Sequence, residues 1–221
     1  MPGYPTLACA VLFGVVGGLF SASASAQQFS ADLVTMSDHG GAESRTAKLW
    51  VSGDKVRIET PDFADGFFLV EATDHAYFAR PVVRTFMDAR QSSRLTQMFV
   101  SVDPSDPCRQ WQDMAKLSGA TEQGEGWHCE RTGQATIDGR SVDVVRATVP
   151  PHRTIVGWID PELRFPLKIR MDDGLTISAA NLRQAPQPAE MFEIPATFRK
   201  FDPRLLIERI KQSDVWVEPP R

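Results

Sequence analysis

Short apolar runs, many alternating with polar residues, are separated by turn sequences along most of the chain. In Lys55–Glu59, Val56 and Ile58 alternate with charged side chains, which is typical of a strand with one buried face and one exposed face. Phe67–Val70 and Ala76–Phe78 are apolar at successive positions, so both faces of these strands need cover. The pattern therefore predicts a sheet that is either covered on both faces or curled around an enclosed interior.

Turn sequences join these runs as hairpins. Asp-Gly between two β-prone runs is a strong hairpin signal, and it occurs at Asp138-Gly139 and at Asp173-Gly174. Ser52-Gly53-Asp54 and Thr73-Asp74 separate other pairs of runs in the same way. Strands joined by short turns pair with their neighbours in order, so the predicted fold class is mainly β (α+β) with an antiparallel sheet.

Two helices are predicted to cover part of this sheet. The first begins near Asp106-Pro107, where an N-cap residue precedes proline at the first helical position, and it runs towards Leu117. The second begins at Asp202-Pro203 and continues through Ile210, with its charged residues mainly on one side. So few helices can cover only one side of a curved sheet.

The N-terminus has the pattern of an export signal. Leu7–Phe20 is apolar and Ala24-Ser25-Ala26 follows as an Ala-x-Ala cleavage site, so we predict a signal peptide over residues 1–26 and one domain over 27–221. An apolar run of about 14 residues is shorter than the roughly 20 that span a bilayer, although an uncleaved anchor is the alternative. Cys9 stands at the start of the run, where no lipobox places its cysteine. We expect a periplasmic or secreted protein that begins at Gln27, with no integral membrane segment after cleavage.

Charge argues against several classes of partner. The formal net charge is −4, and no cluster of lysine and arginine occurs along the sequence. This balance disfavours nucleic acid and an anionic membrane surface as partners.

Two cysteines remain after cleavage, Cys108 and Cys129. An even pair in an exported protein predicts a disulfide, because an oxidising compartment favours pairing. The alternative is that Cys129, next to His128, is a nucleophile.

Catalytic and metal-binding signatures are missing from the sequence. It contains no Gly-x-Ser-x-Gly, no His-Glu-x-x-His and no Cys-x-x-Cys. The four histidines are not spaced as metal ligands: they are His39, His75, His128 and His152. The carboxylate pair Asp172-Asp173 is explained by a predicted turn. We therefore predict no catalytic residues, no metal site and no cofactor.

Two parts of the chain have distinctive strand patterns: Phe29–Met36 with Ala47–Glu59, and Val156–Arg170 with its "Trp-Ile-Asp, turn, Phe-Pro-x-Lys" sequence, followed by Phe192–Pro195. They resemble the opening strands and a later strand pair of the outer-membrane lipoprotein-carrier (LolA-like) superfamily, within it a branch of exported proteins of unknown function. The hairpin at Ile137–Arg140, after a helix flanked by a cysteine pair, is typical of that branch. The resemblance implies a strongly curved antiparallel sheet, an incomplete barrel closed by helices around an apolar cavity.

That fold suggests a non-enzymatic binding protein. The leading hypothesis is a periplasmic binding or carrier-like protein that holds an acyl chain or other amphiphile in the half-barrel. Its hydrophobic partner would be the acyl chain itself or a lipidated protein. The side chains expected to line its concave side are Trp50, Phe68, Tyr77 and Phe86. Because these strands are apolar on both faces, a register slip of one residue exchanges Phe68 for its neighbours. The alternatives are an envelope protein-interaction or stress-sensing module with a filled core, and then a hydrolase.

Overall fold

The computed structural model describes residues 27–37, 45–71, 75–89, 94–117, 126–149, 153–205 and 208. The predictions for the signal peptide and its cleavage site, for Cys9, for His39 and His152, and for the turn at Thr73-Asp74 lie outside the described residues. So does most of the second predicted helix, of which the structure describes the start, from residue 203.

Twelve strands form one sheet in the described part of the chain. They are β1 (Gln28–Ser37), β2 (Arg45–Ser52), β3 (Lys55–Glu59), β4 (Phe67–Glu71), β5 (His75–Arg80), β6 (Thr85–Asp88), β7 (His128–Ile137), β8 (Arg140–Val149), β9 (Arg153–Asp160), β10 (Phe165–Met171), β11 (Leu175–Gln184) and β12 (Arg199–Lys200). Their order is β12-β6-β5-β4-β3-β2-β1-β11-β10-β9-β8-β7, antiparallel except for the β12–β6 pair. The prediction of a mainly β protein is confirmed, with an open, curled sheet that is consistent with an incomplete barrel.

The sheet consists of two runs of sequential hairpins joined through the central strand β1, which pairs with β2 on one side and with β11 on the other. The predicted turn at Asp138-Gly139 joins β7 to β8. Both of its residues have positive φ, 47° and 79°, which is the backbone that a tight hairpin needs and the reason for Asp-Gly there.

Helices interrupt the two runs of strands. The predicted first helix is confirmed as α2 (Pro107–Leu117), and a short helix α1 (Arg94–Met98) precedes it. Among the described residues, 3-10 helices lie at Pro61–Phe63 and at Ala189–Phe192. The sequence pattern missed α1, because five residues are too few to show helical periodicity.

A row of apolar side chains crosses five neighbouring strands on one face of the sheet. In strand order it consists of Ala31, Leu49, Ile58, Phe68 and Phe78, each paired with the next across the ladder. The first four are buried and Phe78 is partly buried against the same core. We call this the inner face, and the opposite one the outer face.

Residues 94–117, which we call the lid, contribute large side chains to the same core. Phe99, Trp111 and Met114 are buried there. The indole nitrogen of Trp111 donates a hydrogen bond of 3.1 Å to the carbonyl of Met98, which satisfies its one polar atom. A Cβ placed on Gly157 of β9 would lie 2.6 Å from the Trp111 ring. The inner face is therefore filled by the protein's own side chains where the lid crosses it.

The connections between strands alternate between two ends of the sheet. The β3–β4, β5–β6 and β10–β11 connections lie at the end where β1 finishes, which we call the rim end. The β2–β3, β7–β8 and β9–β10 connections lie at the far end. This division decides which loops are neighbours in space.

One buried carboxylate organises the far end. Asp160, 1% exposed, accepts hydrogen bonds from the backbone N–H groups of Glu162 (2.8 Å) and Leu163 (2.9 Å). Its other oxygen accepts a charge-assisted hydrogen bond from Arg140, which follows the Asp138-Gly139 turn. The "Trp-Ile-Asp" segment and the "Asp-Gly-Arg" hairpin are thus parts of one contact.

The predicted disulfide is confirmed between Cys108 and Cys129, with an S–S distance of 2.01 Å. It joins the start of α2 to β7, the strand at one edge of the sheet. The bond therefore attaches the lid to the sheet by a covalent link.

We expect the double substitution Cys108→Ser/Cys129→Ser to lower the free energy of unfolding by about 3 kcal/mol, because the bond restricts a loop between residues 21 apart in the unfolded chain. Denaturant unfolding followed by circular dichroism measures the change. Adding reductant should destabilise the wild type by a similar amount and leave the double variant unchanged. Equal stability of the oxidised and reduced wild type would contradict the prediction.

A second substitution tests whether the inner face is filled. Gly157→Ala places a methyl group against the Trp111 ring, and overpacking of this kind costs about 1–3 kcal/mol. Gly133→Ala is the matched control, because nothing lies within 4 Å of a Cβ at that position. We expect the control to change the free energy of unfolding by at most about 0.5 kcal/mol. A Gly157→Ala protein as stable as the control would show that the space beside Trp111 is open.

Candidate functional site

A pocket of about 200 Å³ opens at the rim end, between the start of α1 and the sheet. Its wall is formed by apolar side chains from β2, α1 and β11: Ala47, Leu95, Leu175 and Ile177. The 3-10 helix at Pro61–Phe63 closes one side. We call this the rim pocket. It can accept a short apolar group.

Polar groups surround the rim pocket. The hydroxyl residues Thr35 and Thr60, the carboxylate Asp62 and the guanidinium of Arg94 all contribute to its lining. Arg94 pairs through Nη1 with the carboxylate of Asp173, and the same nitrogen lies 3.4 Å from the sulfur of Met171. These contacts hold a cation at the edge of an apolar pocket.

Asp173 is held in its charged form by the same contacts. The hydrogen bond from Arg94 lowers the pKa of Asp173, and the backbone N–H of Leu175, which donates to its Oδ1 at 3.0 Å, lowers it further. Burial raises the pKa of Asp173, but by less than these hydrogen bonds lower it. The ion pair therefore persists at any pH near neutrality.

The structure places Phe68, one of the four predicted cavity residues, in the packed core of the inner face. It is 2% exposed, and its ring centroid lies 5.6 Å from that of Phe63 and 5.0 Å from that of Phe78.

The other three residues predicted for the cavity lie on the outer face. Trp50 and Tyr77 belong to a cross-strand row that runs through Arg57 and Leu69, and Phe86 pairs with Ala79 in the next row. The Tyr77 and Phe86 rings meet edge to face, with centroids 5.4 Å apart. The structure therefore places these three residues on one face of the sheet, with Tyr77 and Phe86 in contact, and separates them from Phe68. Their role in binding a ligand stays a prediction.

The chain itself covers the part of the outer face that carries Trp50 and Phe86. Residues 186–198, which we call the strap, place Phe192 against Phe67, Leu69 and Ala79 in a second apolar core. Trp50 and Phe86 pack around it, together with strap residues Met191, Ile194 and Phe198. A strand with two apolar faces is thus buried by the lid on one face and by the strap on the other.

Arg57 fixes the strap to the sheet. Its guanidinium lies 3.6 Å from the centre of the Phe67 ring, and Nη1 donates to the carbonyl of Met191 at 3.1 Å. Glu59 accepts from Nε at 3.0 Å and from Nη2 at 2.6 Å. The "Lys-x-Arg-x-Glu" strand of the sequence therefore holds the strap.

The sequence missed the rim pocket because its lining comes from five separate segments, among them the short helix α1. The alternation of β1 and β2 identifies Thr35 and Ala47 as inward-facing, but nothing along the chain indicates that Arg94 lies beside them.

Among the described residues, no three His, Cys, Asp or Glu side chains lie together as ligands for a metal ion. His75 stacks on Tyr77 with ring centroids 5.4 Å apart, and His128 is exposed at the start of β7. Within the same residues, no helix combines the length and the apolar character needed to cross a bilayer.

No family model matches the sequence, and no curated protein matches it. Solved structures with a similar fold include PNGF-II, at 10% identity and a TM-score of 0.49, over 85% of this chain and 33% of that chain. The Pseudomonas aeruginosa MucA/MucB complex aligns at 15% identity and a TM-score of 0.43, over 78% of this chain and 57% of that one. This chain therefore spans about a third of the PNGF-II chain.

The superfamily that the sequence motifs resemble is represented among these structures. The LolA superfamily protein NE2245 from Nitrosomonas europaea aligns at 12% identity and a TM-score of 0.37, over 76% of this chain and 90% of that chain. Identities this low and TM-scores below 0.5 say nothing about a shared function.

We expect the carboxyl group of Asp173 to titrate below the ordinary aspartate value of 3.8. Because the pKa is lower in the folded state, the Arg94 pair stabilises the fold above the unfolded pKa, and this contribution disappears as the pH falls through the folded value. Carboxyl-carbon NMR between about pH 2 and 6 measures the midpoint. In Arg94→Gln the midpoint should move up towards the ordinary value, and an unchanged midpoint would show that Arg94 does not hold Asp173.

Proposed function

We propose that the protein is a non-enzymatic binding protein of the periplasm or the extracellular space, and that it takes the apolar end of an amphiphile into the rim pocket. The observation that carries the proposal is the combination of an apolar pocket wall with a cation at its edge. The Arg94–Asp173 pair is neutral as a whole, but it uses only Nη1 of Arg94, whose side chain is 55% exposed. The remaining N–H groups of Arg94 can therefore donate to an anionic head group while the apolar wall contacts the chain.

The size of the pocket determines how much of a ligand fits. Pockets that enclose a drug-sized molecule have about 300–1,000 Å³, whereas the rim pocket has about 200 Å³. The lid fills the inner face beyond it with Phe99, Trp111 and Met114. We therefore propose that only the terminal part of an acyl chain enters, with the head group beside Arg94.

The filled inner face also favours a second candidate, a protein-interaction module. Apart from Leu205, which follows β12, the large apolar side chains exposed in the described residues are Met36, Phe63, Val82 and Val83. All four lie on connections or strand ends at the rim end. Exposed apolar side chains that share one end of a sheet can form an interaction site. In this case the rim pocket would be a gap in the packing and no amphiphile would bind there.

Binding of a fluorescent long-chain fatty acid separates the two candidates. We expect the wild type to bind the probe and Thr35→Phe to weaken binding at least about tenfold, because the ring fills the pocket from β1. Thr46→Phe is the matched control: it makes the same change on the exposed side of the neighbouring strand β2 and should bind like the wild type. Fluorescence titration gives the dissociation constants, and thermal unfolding checks that each variant is folded.

Arg94→Gln tests the head group. It should weaken binding of the fatty acid more than binding of the matching fatty alcohol, because only the carboxylate interacts with the guanidinium. A wild type that binds neither ligand, or a Thr35→Phe variant that binds as well as Thr46→Phe, would overturn the rim pocket as a ligand site and leave the interaction module.

A further inference from the structure

The most exposed large apolar side chain of the described residues, Val82, lies in the turn between β5 and β6, next to a second exposed one, Val83. Val82 is 85% exposed and Val83 is 50% exposed. Pro81 precedes them, and the backbone N–H of Arg84 closes the turn on the carbonyl of Pro81 at 3.1 Å. We call residues 81–84 the tip. It lies at the rim end, on the side where the rim pocket opens.

The backbone of the tip shows that its conformation is imposed by its surroundings. Arg84 has a φ of 51°, which is unfavourable for any residue other than glycine, asparagine or aspartate. The last β5–β6 pair, Arg80 with Thr85, and the hydrogen bond from Arg199 N–H to the carbonyl of Arg84 (2.9 Å) hold it there. Val82 is therefore presented to solvent by a defined turn.

Strand β12 places a second cation beside the tip. Arg199 pairs with Thr85 in the parallel β12–β6 ladder, so it lies next to Arg84 although the two are far apart in sequence. Both side chains are exposed, and neither forms an ion pair with another described residue.

Two other cations at this corner are paired with carboxylates. Arg80 pairs with Asp65 at 2.5 Å, and Lys200 pairs with Asp88 at 3.0 Å. Arg84 and Arg199 therefore give the corner a local positive charge, although the chain carries a net charge of −4. The sequence shows no cationic cluster, because strand pairing is what brings the two arginines together.

We propose that the tip docks on the surface of a bilayer that contains anionic phospholipid. Val82 and Val83 insert at the boundary between head groups and acyl chains, and Arg84 and Arg199 bind the lipid phosphates. An apolar tip flanked by cations has the two features that hold a peripheral protein at such a surface. Docking in this way places the rim end, and with it the rim pocket, against the bilayer.

The test is co-sedimentation of the chain over residues 27–221 with vesicles. One set contains phosphatidylcholine only and the other contains about one third phosphatidylglycerol. We expect binding to the anionic vesicles that weakens as salt is added, because each cation near an anionic surface contributes about fivefold to the partition coefficient. Arg84→Gln/Arg199→Gln should therefore weaken partitioning by more than tenfold, and Val82→Asp should weaken it at least as much.

Two matched controls exclude general effects of the substitutions. Arg164 is another exposed arginine with positive φ, 49°, but it lies in the far-end turn, so Arg164→Gln should partition like the wild type. Leu205, 53% exposed, follows β12 as the chain leaves the tip, so Leu205→Asp should also have no effect. Thermal unfolding of every variant verifies folding.

The outcomes are independent of the proposed ligand. Without vesicles, Val82→Asp should bind the fatty-acid probe as the wild type does, because the tip is not part of the rim pocket. A wild type that sediments with neither vesicle type, or tip variants that partition like Arg164→Gln, would overturn the membrane proposal even if the probe binds. A tip that contacts a protein and no lipid would also overturn the membrane proposal.

Discussion

The fold depends on covering two apolar faces of one sheet. On the inner face the decisive contact is between the Trp111 ring and Gly157. A residue as small as alanine at position 157 would place its Cβ too close to that ring. Trp111 can lie there because its indole N–H is satisfied by the carbonyl of Met98 within the lid itself. The disulfide at Cys108 then fixes the start of α2 to the edge strand β7. The lid is thus held by packing, by a hydrogen bond and by a covalent bond.

This arrangement also determines where a ligand has room. Since the lid fills the inner face and the strap fills the outer face of β2–β6, the space lies at the rim end, where α1 meets the sheet over Ile177. The same end carries Arg94 and the exposed valines of the tip. Binding chemistry is therefore concentrated on the connections at one end, while the strands and the lid provide a rigid support.

The charged side chains at the rim pocket and at the tip come from parts of the chain that are distant in sequence. Arg94 meets Asp173, and Arg84 meets Arg199 through the β12–β6 pair. Opposite charges fix segments to one another, whereas the like charges at the tip remain exposed to solvent and available to an anionic partner. A net charge calculated from composition gives no indication of either arrangement, because it does not record position.

The sequence by itself determined the mainly β class, the Asp-Gly hairpins, helix α2 and the cysteine pair, since these follow from local periodicity, turn chemistry and the redox environment. It did not determine which face of β4 is inward: Phe67 and Phe68 are both apolar, so alternation gives no register, and the strap decides it by covering Phe67. For the same reason the sequence predicts Phe68 and Trp50 on one side of the sheet, whereas they lie on opposite faces. The tertiary structure alone decided the rim pocket and the arginine pair at the tip, because both are made of residues that only strand order and lid packing bring together.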